Sequence, residues 1–109
     1  LRADAAKIID RLSIGQSLDA ELIQLLATIN QGCEQLNQWL FEQSNQLLKQ
    51  GKRVAVVGGD HSVPLGYLSA IAQHYENFGI LHIDAHADLR EAYEGFKYSH
   101  ASIMYNVMK

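Results

Sequence analysis

The sequence predicts an α/β protein in which helices cover a parallel β-sheet. Two apolar, β-rich runs, residues 53–57 and 78–83, stand on either side of a helical pattern at residues 64–75. The first run is continuous and β-branched, without polar alternation, which is typical of a strand covered on both faces. A strand, a helix and a strand with short joints form a βαβ unit, and we expect its crossover to be right-handed.

A helical lead-in at residues 1–50 precedes this unit. Residues 3–12 predict a short helix, and Ser17 is the expected N-cap of a second, longer helix. Apolar residues then recur at helical spacing through most of the lead-in. Gly51 follows the last turn, in the position where glycine commonly ends a helix. We therefore expect a single partial domain in which residues 51–109 carry the βαβ unit.

The composition excludes several functional classes. The chain has 109 residues, a hydrophobic share of 48% and a formal net charge of −3. Without a cluster of Lys or Arg, a nucleic-acid surface is not expected, and no apolar run is long enough for a membrane span. Cys33 stands alone, so we expect no disulfide framework, a cytoplasmic location and a small buried side chain within a helix.

Each apolar run ends in a motif rich in metal-binding side chains. The first run is followed by GGDHS at residues 58–62, and the second by DAHAD at residues 84–88. In open α/β sheets, ligands bind beyond the carboxyl ends of the strands. Because two parallel strands end at the same edge, we expect these two segments to converge in space.

The spacing within the second motif indicates a metal site. Asp84, His86 and Asp88 are two residues apart, so an extended backbone projects all three to one side. Two close carboxylates repel each other, and a bound cation relieves that repulsion. His61 is expected to arrive from the neighbouring strand end. Carboxylates and imidazoles without a thiolate favour Mn²⁺, ahead of Fe²⁺, Ni²⁺ or Zn²⁺.

Other interpretations of these residues stay open. Asp84 and Asp88 also suit turns or helix caps, and His61 suits a structural loop. A phosphate-binding loop fits poorly because the Walker lysine is absent, and a metallophosphoesterase lacks its Gly-Asn-His motif. His74 and His82 are expected to be structural, although the position of His82 allows it to support a metal ligand.

In combination, these motifs resemble the ureohydrolase family, which includes arginases, agmatinases and formiminoglutamases. The matching segments are GGDHS at 58–62, IDAHAD at 83–88 and SHAS at 99–102. The resemblance extends from Gly51 to Met104. It implies an arginase-like, three-layer α/β/α fold with a central parallel sheet, of which this chain is an incomplete N-terminal portion.

The resemblance also implies a binuclear Mn²⁺ centre. His61 and Asp88 match ligands of one metal. His86 matches a ligand of the other metal, and Asp84 matches the bridge between them. His100 matches the family's catalytic loop histidine, which handles protons and is not a ligand. A hydroxide held between two cations would attack the guanidinium carbon, and protonation of the departing amine would complete the release of urea.

The loop after the second motif most resembles agmatinases, through residues 87–95 and 98–104. The implied reaction converts agmatine to putrescine and urea, as in polyamine biosynthesis. Glu91 or Glu94 would then attract the second cationic group of the substrate. Arg90 would instead suit an acidic substrate, so a formiminoglutamase or another guanidino-acid hydrolase is the alternative.

Two features predict that the chain is a fragment. Family members carry two further metal ligands in a later Asp-x-Asp motif, and a substrate-binding glutamate later still, which this sequence lacks. The chain also has no initial Met and stops at Lys109 inside an unfinished helical pattern. We expect that these residues alone do not hydrolyse the substrate. The alternative of another class is a non-catalytic metal-binding or interaction module. The full-length protein is expected to be a trimer or hexamer that acts on a small guanidino substrate.

Overall fold

Helices make up the regular structure of this chain, whose residues 1–109 are all described by a computed structural model. The elements follow in the order α1 (Arg2–Ser13), α2 (Ala20–Lys49), α3 (Leu65–His74), a 3₁₀ turn (His100–Ser102) and α4 (Ile103–Val107). The helical lead-in and the helix between the two apolar runs are therefore confirmed. None of the helices combines the length and the apolar character that crossing a bilayer requires.

Helix α2 runs without a break for 30 residues and has a defined cap at each end. The backbone N–H of Leu22 donates to Oδ1 of Asp19 at 2.9 Å, so Asp19 caps the helix and the expectation of Ser17 is wrong. Asp19 is favoured because it directly precedes the first turn, where a carboxylate meets the free N–H groups. At the other end, Gly51 adopts φ 71° and donates its N–H to the Leu48 carbonyl, as expected.

The lead-in is held together by a small apolar cluster between α1 and α2. Ile8, Leu22 and Ile29 are buried at its centre. The partly buried side chains around them are Ala5, Leu12, Leu18, Leu25, Leu26, Cys33 and Phe96. Burial raises the pKa of the Cys33 thiol, and the nearby Asp60 carboxylate raises it further. Cys33 is thus a protonated, partly buried packing residue, close to what the sequence predicts.

Helix α3 crosses α2 so closely that the contact tolerates only glycine. Leu65, Gly66 and Ala70 are the buried residues of α3. A Cβ atom on Gly66 would lie 2.2 Å from the Asn37 carbonyl oxygen of α2, which is far inside van der Waals contact. The interface therefore depends on the missing side chain at Gly66.

The loop before the 3₁₀ turn is fastened to α2 by one asparagine. Asn30 donates from Nδ2 to the Gly95 carbonyl and accepts the Lys97 N–H at Oδ1, each at 3.0 Å. Tyr93 and Phe96 form the isolated β-bridge of this loop. These bonds hold the loop that precedes His100, one of the candidate site residues.

The predicted parallel sheet is not confirmed. No strand is present at residues 53–57 or 78–83, and these segments have no ladder partners. Several of their apolar side chains are open to solvent, with Val57 97% and Leu81 86% exposed. The physical reason is that two strands by themselves make a marginal sheet, and parallel pairing is the weaker kind. The βαβ expectation therefore holds for its helix only.

Replacing Gly66 by alanine should destabilise the fold. The new methyl group would collide with the Asn37 carbonyl, and such overpacking typically costs about 1–3 kcal/mol. Urea unfolding followed by circular dichroism measures the change.

Gly32→Ala is the matched control, because Gly32 also lies inside a helix. Its Cβ would meet only the flexible end of Leu1 at 2.8 Å, which can move aside. We expect this variant to gain up to about 1 kcal/mol from helix propensity. A Gly66→Ala protein as stable as the parent would contradict the close α2–α3 contact.

Candidate metal centre

The first motif forms a tight turn that presents His61. Asp60 accepts two hydrogen bonds at Oδ1, from the Ser62 N–H at 2.8 Å and from the Ser62 hydroxyl at 2.5 Å. Burial acts to raise the pKa of the Asp60 carboxyl, but these bonds, with the charges of His100 and His61, lower it on balance. Asp60 is therefore an ionised turn residue that fixes the backbone beside His61.

The second motif is shaped by Asp84 and Asp88. Oδ1 of Asp84 accepts the His86 N–H at 2.8 Å, which turns the chain directly after the second apolar run. Asp88 adopts φ 52°, a left-handed conformation that aspartate tolerates better than most residues. Its carbonyl accepts the N–H groups of Met104 and Tyr105 at 3.1 and 3.3 Å, in the first turn of α4. The motif is thus attached to the C-terminal helix by its own backbone.

The two motifs meet as the sequence predicts. Nδ1 of His61 lies 2.5 Å from Oδ2 of Asp88 and 3.4 Å from Oδ2 of Asp84. The Asp88 side chain is only 7% exposed and the His61 side chain 30%, so this contact is partly buried. Residues 27 positions apart in the chain therefore share one point in space.

His82 joins this group, although the sequence favoured a structural role for it and allowed only support of a metal ligand. The ligand atoms of His61, His82, Asp84 and Asp88 all lie within 4.8 Å of one another. Nε2 of His82 is 3.8 Å from Oδ2 of Asp84, and its ring lies 4.9 Å from the His61 ring. The available signal was its position two residues before Asp84, which places both side chains on one side of an extended segment.

His86 lies at the edge of the cluster. Its side chain is 83% exposed, and its Nδ1 is 3.5 Å from Oδ1 of Asp84. It is not one of the four residues whose ligand atoms group together. Asp84 thus has histidine nitrogens near both of its oxygens, His86 near Oδ1 and His61 and His82 near Oδ2.

The charges of the cluster favour a divalent cation. The His86 N–H lowers the pKa of the Asp84 carboxyl, burial opposes this, and the nearby His61 and His82 add to the lowering. When Asp84 and Asp88 are both ionised, two negative charges lie beside the His61 and His82 rings. A neutral imidazole has one nitrogen with a free lone pair, which can bind a cation. Ligand atoms about 2.1 Å from one cation lie up to about 4.2 Å apart, so these four atoms, which lie within 4.8 Å of one another, would draw slightly closer around an ion. The donor set therefore fits a borderline divalent metal such as Mn²⁺.

A cavity of about 560 Å³ opens beside the cluster. His86, Ala87, Asp88, Leu89, Arg90, Tyr93, His100 and Ala101 line it. His100 therefore faces the same space as two candidate ligands, and its ring meets the Tyr93 ring edge-on at 5.9 Å. The Arg90 guanidinium carbon lies 5.2 Å from the centre of the same Tyr93 ring. Glu91 and Glu94, the expected substrate contacts, are not among the lining residues.

With this geometry in place, the comparison with known proteins identifies the family. The sequence pattern of the arginase family matches residues 5–109. The chain belongs to the arginase family.

Three curated relatives illustrate the range of activities among similar proteins. The chain is 39% identical over 75 residues to an N(1)-aminopropylagmatine ureohydrolase of Thermus thermophilus, covering 69% of this chain and 26% of that protein. It is 43% identical over 61 residues to an agmatinase of Bacillus anthracis, covering 56% and 21%. It is 42% identical over 53 residues to an arginase of Bacillus subtilis, covering 49% and 18%.

The chain thus spans about a quarter, or less, of the length of the curated relatives it matches. No solved structure matches it at a significant level. The family's α/β fold is assigned from the family match, while its sheet is not formed within residues 1–109.

Removing one carboxylate should weaken Mn²⁺ binding. In Asp88→Asn the amide cannot carry the negative charge that faces His61, and we expect the dissociation constant for Mn²⁺ to rise at least 10-fold. Loss of residues that merely support ligands already costs about 10–100-fold. Titration of free Mn²⁺ by electron paramagnetic resonance measures this, with Glu42→Gln on the exposed face of α2 as the control. Equal affinity in Asp88→Asn and the parent would contradict the assignment.

Mn²⁺ affinity should also fall as the pH is lowered from about 8 to 5, because an imidazole binds metal only in its neutral form. The lowered pKa of Asp84 keeps its carboxylate charged across this window, so its protonation contributes nothing there. The loss should therefore follow histidine protonation and recover fully on return to pH 8. A Mn²⁺ affinity independent of pH in this range would contradict imidazole ligation.

Proposed function

We propose that the protein hydrolyses the guanidino C–N bond of a small linear substrate, with Mn²⁺ as its cofactor, and releases urea and an amine. The observation that carries this proposal is the meeting of His61, Asp84 and Asp88 beside a cavity that also contains His100. Membership of the arginase family supports it, as do relatives that are named ureohydrolase, agmatinase and arginase.

In this proposal the two motifs hold the metal. His61 and Asp88 would hold one cation and His86 the second, and Asp84 would be shared between them. Bound divalent cations supply a water acidified enough to attack an electron-poor carbon near neutral pH. The partly buried His61–Asp88 contact would help to fix the geometry at this end of the cavity.

His100 is the proposed proton carrier. It lies on the cavity wall rather than in the ligand cluster, so it can approach the substrate without binding metal. Without a proton, the amine nitrogen would have to leave as an anion when the C–N bond breaks, and such an anion is a poor leaving group. An imidazole gives and takes protons in the physiological range, which suits this task.

Agmatine is the proposed substrate, with putrescine as the amine product. The loop sequence after the second motif and two relatives named for agmatine-type substrates support this choice. Glu91 and Glu94 would attract the distal amine from positions outside the cavity lining. We further propose a cytoplasmic protein that assembles from several copies of itself.

A guanidino acid is the second candidate substrate, and one observation favours it. Arg90 lines the cavity and rests against Tyr93, whereas neither glutamate lines it. A guanidinium on the wall would bind a substrate carboxylate in a bidentate manner and repel a distal amine. A formiminoglutamase or guanidinobutyrate hydrolase would use it in this way.

Assays of the protein at its full natural length distinguish the two substrates. Urea release is compared for agmatine, arginine and guanidinobutyrate with Mn²⁺, and formamide release is measured for formiminoglutamate. We expect agmatine to react fastest and His100→Asn to lower its turnover at least 100-fold, since acid–base catalysis is worth about 10²–10⁴-fold.

Arg90→Ala is the matched variant in this assay. If agmatine is the substrate, removing the cation from the wall leaves its turnover unchanged or raises it. Fast guanidinobutyrate hydrolysis that Arg90→Ala abolishes would replace agmatine by a guanidino acid. A protein that binds Mn²⁺ but hydrolyses none of these compounds would favour the non-catalytic module.

A further inference from the structure

His82 has a buried nitrogen that nothing in the structure satisfies. Its Nε2 atom has almost no accessible surface and no hydrogen-bond partner. A buried polar atom without a partner destabilises a fold, so such atoms in proteins nearly always have a structural or functional reason. The unsatisfied Nε2 of His82 therefore indicates a hydrogen bond that forms when the cluster binds metal.

Asp84 is the acceptor that this nitrogen faces. Its Oδ2 lies 3.8 Å from Nε2 of His82, just beyond hydrogen-bond range. The other oxygen of the same carboxylate, Oδ1, already accepts the His86 N–H at 2.8 Å. A small rotation of either side chain closes the remaining gap and leaves both oxygens of Asp84 held.

We propose that His82 is a positioning residue for the metal centre, which donates a hydrogen bond from Nε2 to Oδ2 of Asp84. The bond would fix the direction of the Asp84 carboxylate, which would help to hold the proposed cations. This inference rests on the proposed function, because it gives His82 a purpose only where Asp84 binds metal. Residues that orient a ligand in this way commonly matter nearly as much as the ligand.

The surroundings of His82 favour support over direct ligation. Its Nε2 is closed to solvent, whereas the cavity through which substrate and cation approach opens at His86, Asp88 and His100. The His61 ring lies beside the His82 ring, with centroids 4.9 Å apart and planes tilted by 31°. His61 thus stands next to His82 and presents Nδ1 to both carboxylates.

Two amide substitutions test the hydrogen bond directly. In His82→Gln the side-chain N–H reaches about as far as Nε2 of the imidazole, whereas in His82→Asn it ends nearer the backbone. We expect Mn²⁺ dissociation constants within about 3-fold of the parent for His82→Gln and about 10–100-fold higher for His82→Asn. Paramagnetic resonance titration of Mn²⁺ on the full-length protein gives these values without any activity assay.

His74→Asn is the control, because His74 lies at the exposed end of α3 away from the cluster, and its Mn²⁺ affinity should equal that of the parent. Equal affinity in all variants would show that His82 only fills space and would overturn the proposal. Electron spin echo spectra that lose one histidine nitrogen in both His82 variants would make it a direct ligand, which also overturns it.

A folded parent that binds no Mn²⁺ would instead defeat the proposed function itself, and the role of His82 with it. Circular dichroism of each variant without metal separates these outcomes from unfolding. If His82→Asn unfolds, the His82→Gln variant still gives the answer. The number of histidine nitrogens in its spin echo spectrum shows whether His82 is a positioning residue or a direct metal ligand.

Discussion

The contact between His61 and Asp88 connects the parts of this chain that carry its chemistry. The side chain of Asp88 meets His61, which belongs to the first motif, at 2.5 Å. The backbone carbonyl of Asp88 accepts the N–H groups of Met104 and Tyr105 and so caps α4. One residue therefore ties the first motif, the second motif and the segment that bears His100. The unusual φ of 52° at Asp88 allows its side chain and its carbonyl to point to these different partners.

Asp84 explains why this arrangement calls for a cation. It adds a second carboxylate 3.4 Å from the same His61 nitrogen, and its pKa is lowered first of all by the His86 N–H. His61, His82 and His86 all lie near Asp84, and neutral imidazoles leave the charge of the two carboxylates unbalanced. A bound divalent cation would balance that charge. The unsatisfied Nε2 of His82 lies beside the same carboxylate.

The sequence predicted the local structure of this chain well and its long-range structure poorly. Helices α1, α2 and α3 could be predicted because helical spacing and capping depend on residues that are close together in the sequence. The error at Ser17 arose from a choice between two capping residues in the same short stretch. The strands at 53–57 and 78–83 are different, because a strand needs partners that supply its hydrogen bonds. An apolar run alone does not ensure those partners.

The same distinction separates the parts of the site. His61, Asp84, His86 and Asp88 carry a recognisable motif, and the structure brings three of them together with His82. His82 lies in an apolar run, and its position two residues before Asp84 allows a supporting role without excluding a packing one. The orientation of the loop was also hidden from the sequence. Glu94 adopts φ 53° in the turn bridged by Tyr93 and Phe96, and Arg90 rather than a glutamate faces the cavity.

We expect His61, Asp84 and Asp88 to surround a metal ion. Anomalous diffraction at the manganese edge, from crystals of the protein grown with Mn²⁺, tests this expectation. The expected result is a strong peak in contact with Nδ1 of His61 and the carboxylates of Asp84 and Asp88. A map with no peak at this cluster, or with manganese bound only at unrelated surface carboxylates, would contradict it.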